Sequence, residues 1–191
     1  MYKRERSINF AMVAKVLGWL LMIEAGFMLV PFVTSLIYEE QQSTIAFLVA
    51  IVATGLSGVL MTFCIHPNRT TMRIREGLLL TSLVWFTMSL FGSIPFLMTG
   101  VLKSFPDAFF EMISGFTTTG ATVIRDVEVA PKGILIWRSL TQWLGGMGII
   151  LLPLAVVPML NHSGGLQLFN AEVTGITHDK LRPRISQTAS S

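Results

Sequence analysis

Charge is scarce in this chain. Only 13% of its 191 residues are Asp, Glu, Lys or Arg, while 52% are hydrophobic. An ordinary soluble domain carries about 25% charged residues. With a mean hydropathy of +0.65, the deficit argues against a soluble domain and for a membrane protein. Cysteine is nearly missing too. Cys64 stands alone inside an apolar run, which excludes an internal disulfide and reads as a small core residue. The three histidines, His66, His162 and His178, are far apart, and no pair has the spacing of a helical metal site. No G-x-S-x-G nucleophile motif occurs. With no catalytic constellation, the chain is not read as an enzyme, and no cofactor is expected.

What is abundant is long apolar sequence. One run extends from about Ala14 to Tyr38, interrupted by Lys15, Glu24 and Pro31. A second, Ser43 to Cys64, has no charge at all. A third is Gly77 to Thr99, with Pro95 near its end, and a fourth is Ile134 to Leu160, with Arg138 near its start. Each can cross an apolar layer of about 30 Å, which needs about 20 helical residues. Backbone groups in lipid must bond within the segment, so helices are expected. The run behind "MYKRERS" is too long for a cleaved signal and reads as an uncleaved first helix.

Basic residues suggest the orientation. Lys3, Arg4 and Arg6 precede the first span, Arg69, Arg73 and Arg75 separate the second from the third, and Lys180, Arg182 and Arg184 follow the fourth. Four spans with this bias put both termini in the cytoplasm. Trp137 and Trp143 then fall near the outer interface as belt residues.

One apolar segment is too short to cross. Pro106 to Gly115 is about 15 Å as a helix, half the apolar thickness. Pro106 suits a first helical turn, Ser104 a cap and Gly115 a helix stop. "FTTTGATV" follows, rich in β-branched residues that favour extended backbone. A half-crossing helix followed by extended chain is a re-entrant hairpin, tolerated at membrane depth only when buried in protein or lining a wet cavity. An extended strand can align its carbonyl oxygens, with Gly120 supplying angles that a Cβ resists. Such oxygens can replace the water shell of a cation, and the negative end of the short helix would favour a cation there. On pattern alone, an ion filter, a plain apolar loop and another ligand site all remain open.

"DAFFEMISGFTTTGATV", "WRSLTQWLGGMGIILLPLAVVPML" and "GGLQLFNAE" together resemble the first pore unit of the Trk potassium-uptake proteins, within the wider Trk/Ktr/HKT superfamily of cation transporters. "DKLRPRI" resembles the connector that follows that unit. The resemblance covers nearly the whole chain and is most specific from Asp107 to Glu172. It implies an all-α membrane protein with one helix–pore-loop–helix repeat preceded by two additional, peripheral helices. The divisions would be 1–68 for the leading pair, 69–160 for the repeat with its filter at 117–122, and 161–191 for a truncated cytoplasmic connector. It implies potassium held by Thr118 and Thr119, with Gly120 as the filter glycine and Ala121 at the next step. Gly120 goes with potassium preference in the family. It further implies a bacterial inner membrane, a cytosolic nucleotide-binding regulatory subunit, and a homodimer for the full-length protein.

Family chains are more than twice as long and carry four filter strands. The chain therefore reads as a fragment whose motifs describe the intact transporter. Four copies forming a symmetric pore, and a non-conducting assembly partner, are the alternatives. Glu24 is expected to have a structural role, pairing with a neighbouring helix or with Lys15 through water. Glu111 is expected to support the filter, and Arg138 to pair with Glu111, Asp126 or Glu128. Gly145 and Gly148 are expected to allow close helix packing that seats the pore helix. Gly55 and Gly58 read as ordinary packing, and the basic tail as a surface segment near anionic headgroups.

Overall fold

The computed structural model describes residues 8–65 and 74–162, the side chains of Ile74 and 149–162 excepted, and among the described residues there are seven helices. They are α1 (Phe10–Phe27), α2 (Leu29–Ile37), α3 (Gln41–Cys64), α4 (Ile74–Gly92), α5 (Ile94–Met98), α6 (Phe105–Phe116) and α7 (Lys132–His162). No strand occurs among the described residues. The basic residues at 3–6, Arg69, Arg73 and the 161–191 connector after His162 lie outside them.

The apolar runs become helices close to their expected limits. Phe10–Ile37, Gln41–Cys64 and Arg75–Met98 are long and apolar enough to cross a membrane, and α7 has 31 residues. The protein is an all-helical membrane protein. Two spans are broken, each near a proline. Pro31 has no N–H to offer the Phe27 carbonyl, and α1 gives way to α2 at Met28. Pro95 does the same to the Phe91 carbonyl, and α4 gives way to α5 at Ser93.

Lipid tails are as apolar as leucine, so these helices associate by close fit rather than by escape from water. Small residues mark the crossings. A Cβ on Gly18 would lie 2.7 Å from the Gly58 carbonyl oxygen, and one on Gly58 would lie 2.8 Å from that of Gly18. α1 and α3 are therefore in backbone contact, and Gly58 belongs to that seam. Within this frame Met28, Phe47, Phe96, Met112, Phe116, Ile134 and Trp137 form the main core.

Three residues depart from the sequence expectation. Cys64 is exposed at the end of α3, not packed in a core. Trp137 is no belt residue. It is fully buried, donates from its indole Nε1 to the Gly92 carbonyl at 3.0 Å, and stands edge-on to Phe116. The end of α4 and the break after it place that carbonyl where an indole N–H can reach it. Trp143 is exposed and lies edge-on to Phe27. Glu24 is wholly buried, and neither carboxyl oxygen has a hydrogen-bond partner among the described residues, Lys15 included. Lys15 is nine residues earlier, about 13 Å along the helix. The Glu24 carboxyl instead packs on Gly92, on which the Met112 thioether and the Phe116 ring also converge.

Candidate functional site

α6 positions the site. Its 12 residues span about 18 Å, too little to cross an apolar layer of about 30 Å. Ser104 occupies the cap position in extended conformation, but its hydroxyl makes no capping bond, and Pro106 falls in the first turn. The helix buries Ala108, Glu111, Met112, Ser114, Gly115 and Phe116, a stripe at helical spacing pressed between α4 and α7. Gly115 does not stop the helix, which runs on to Phe116. Its role is clearance: a Cβ there would sit 2.5 Å from Thr141 Oγ1 of α7. Gly145 does the same from the other side, where a Cβ would strike the Phe116 carbonyl oxygen. Gly148 faces the Trp85 ring. The expected role of Gly145 in seating the short helix is met.

The chain leaves α6 in a tight turn, not in the extended form expected of consecutive threonines. Thr117 N donates to the Ile113 carbonyl at 2.9 Å, and Thr118 N to that of Gly115 at 2.9 Å. Thr119 N and Gly120 N both donate to the Ser114 carbonyl, at 2.9 and 3.3 Å. These four amides satisfy carbonyls that a helix end otherwise leaves orphaned. The geometry demands left-handed backbone at Thr118 (φ +58°) and at Gly120 (φ +75°). Glycine does this freely, whereas a β-branched residue rarely does. Two further bonds over-determine the turn: the Thr117 hydroxyl lies 2.6 Å from the Ile113 carbonyl and 2.9 Å from the Thr119 hydroxyl. Strain held in this way clusters at functional sites.

Beyond the turn the chain is fastened to the same helix. Ser114 Oγ donates to the Ala121 carbonyl at 2.7 Å, turning that oxygen partly toward α6. Glu111 is the main anchor. It is 1% exposed, and its Oε2 accepts from Val123 N at 2.9 Å and from Thr122 Oγ1 at 3.0 Å. Its Oε1 pairs with Arg138 Nε at 2.5 Å. Of the three carboxylates weighed for Arg138, Glu111 is therefore the partner, while Asp126 accepts from Glu128 N at 3.1 Å. One buried carboxylate thus ties α6, the returning chain and α7 together. Every Glu111 oxygen is engaged, as a buried charge requires.

Of the four predicted ion-binding residues, Thr118 is half-buried while Thr119, Gly120 and Ala121 are exposed. All four lie in one loop at the end of α6. Sequence reasoning missed Ser114, which carries three of the loop's bonds, and Gln142, whose amide nitrogen would lie 3.5 Å from a Cβ on Gly120. Ser114 sits within the quoted motif, but only the folded turn shows its bonds.

A bundle of membrane helices with a half-length helix dipping in and returning through a braced, strained loop defines a pore-loop membrane protein. Comparison with known proteins specifies the family. Residues 39–190 match the TrkH model, described as a cation transport protein. The chain belongs to the TrkH family. It is 41% identical over 184 residues to the Trk system potassium uptake protein TrkH of Halomonas elongata, covering 95% of this chain and 38% of that protein. It is 36% identical over 187 residues to the protein of that name from Escherichia coli K12, with the same coverage. Among solved structures, the potassium transporter TrkH from Vibrio parahaemolyticus superposes with a TM-score of 0.74 at 35% identity, over 81% of this chain and 33% of that one. The chain thus spans well under half the length of these relatives.

Proposed function

We propose that this chain forms the first pore unit of a potassium-uptake transporter and contributes one quarter of its selectivity filter. One observation carries the proposal. The Thr117–Gly120 turn spends its amide donors on the end of α6 and leaves acceptor oxygens of Thr118, Thr119 and Gly120 for a cation. Ala121 adds an oxygen already shared with Ser114. Carbonyl oxygens around an axis substitute for a potassium ion's water shell, and the α6 C-terminus adds partial negative charge. The relatives' name, potassium uptake protein, supports potassium as the substrate. No bond is made or broken. The ion sheds water, occupies the ring and moves inward down its electrochemical gradient.

One such loop covers one side of an ion, and about four are needed to surround it. The relatives' greater length supports further loops in one chain over a ring of four short copies. In this reading 1–68 is the leading pair, 69–160 the repeat and 161–191 a cytoplasmic connector, with both termini in the cytoplasm of a bacterial inner membrane. A cytosolic nucleotide-binding regulator and a second copy of the full-length transporter are its partners on the strength of the family.

The test is potassium uptake by the intact gene carrying Gly120→Arg, which places a charged side chain at a left-handed position facing the ion path. Uptake is expected to be abolished while membrane insertion is retained. Unchanged uptake removes Gly120 from the filter. Expressing the 191-residue chain in cells deficient in potassium uptake separates the rival readings, since rescue of growth would require a ring of short copies.

A further inference from the structure

The family resemblance makes the two leading helices peripheral, yet α2 packs along α7, and the turn after it reaches the start of α7. Glu40 makes this link. Its carboxylate accepts from Lys132 N at 2.6 Å and from Gly133 N at 3.2 Å, capping α7 from 92 residues away. The same residue opens α3, where its carbonyl accepts from Thr44 N at 2.9 Å. Its own N–H donates to the Ser35 carbonyl at 2.9 Å. One residue therefore fixes the end of α2 and the starts of α3 and α7. The contact is close-fitting, since a Cβ on Gly133 would lie 3.2 Å from the Pro31 carbonyl oxygen and would strike Ser35 Oγ.

Arg138 lies five residues beyond Gly133, about 7.5 Å along a rigid helix. It holds Glu111, and Glu111 holds Thr122 and Val123. We propose that Glu40 is a positioning residue for the filter loop, acting through α7. It sets the height of α7, and with it the height at which Arg138 meets Glu111. The leading helices thereby take part in filter geometry. The inference deepens the filter reading and rests on it for its consequence, but the link itself can be read without transport.

The experiment measures amide hydrogen exchange in the 191-residue chain, reconstituted in bilayers of phosphatidylethanolamine and phosphatidylglycerol. In Glu40→Ala, exchange at Val123 N–H is expected to rise at least tenfold. Glu40→Gln keeps one acceptor oxygen and should give an intermediate rise. Glu39→Gln, which removes the neighbouring carboxylate without touching the cap, should leave the rate unchanged. The Leu21 amide, at a buried position within α1, should keep its wild-type rate throughout. An unaltered Val123 rate in Glu40→Ala overturns the proposal, as does an equal rise at Leu21, which would mark general loosening. If Glu40→Ala fails to insert, the contrast between Glu40→Gln and Glu39→Gln decides in the same terms. Glu111→Gln separates this link from the filter reading. Faster Val123 exchange there, with none in the Glu40 variants, would leave the Glu111 brace standing and remove only Glu40.

Discussion

Thr118 is the residue whose conformation is hardest to explain without a functional demand. A left-handed threonine costs about 1–2 kcal/mol relative to glycine, yet it is kept beside Gly120, which adopts φ +75° without such strain. Thr118→Gly is therefore expected to raise the chain's unfolding free energy by about 1 kcal/mol, measured by denaturant titration in micelles. In the intact transporter the same change should reduce the preference for potassium over sodium, because glycine relaxes the loop. The sequence made Gly120 legible as a special backbone position. It gave no sign of Thr118, because β-branched residues favour extended backbone and the force overriding that preference is the Ser114 carbonyl, which captures the next two amides.

At the scale of elements, the pairing of α6 with α7 decides whether the loop is presented at all. Their contact depends on backbone clearance, so the smallest side chain is too large at Gly145, where the obstacle is the Phe116 backbone itself. Gly145→Ala is expected to destabilise the chain by roughly 3 kcal/mol or more through forced separation of the helices. Gly146→Ala, where the nearest atom is 4.0 Å from the added carbon, should change stability by less than about 0.5 kcal/mol. Thermal unfolding of both variants in one detergent checks the contrast. The bounds of α6 were legible to within one residue at each end, because Pro106 and the apolar stripe are local signals. The burial of Trp137 was not, since its acceptor is the Gly92 carbonyl, 45 residues away. The capping of α7 by Glu40 was hidden for the same reason.

For the whole molecule, the proposed orientation makes a prediction through the chain's one cysteine. Cys64 is exposed at the end of α3, and with both termini inside, that end faces the cytoplasm. A membrane-impermeant maleimide should label the chain in inverted vesicles and leave it unlabelled in right-side-out cells. Labelling from the cell exterior would reverse the topology. Three of the four expected spans have the length and hydropathy to cross a membrane, and these were legible because lipid demands long apolar helices. The way the leading helices join the pore unit was not, because it depends on a bond between residues 40 and 132.

The Glu111–Arg138 pair has one more consequence. Because the guanidinium cancels the carboxylate buried behind the loop, this pair would offer an ion in the proposed filter no net charge, leaving the peptide dipoles of the loop to hold it. Such a well is shallow. Under the proposed function, residence would be brief, turnover would be limited by arrival more than by departure, and occupancy would respond only weakly to ionic strength.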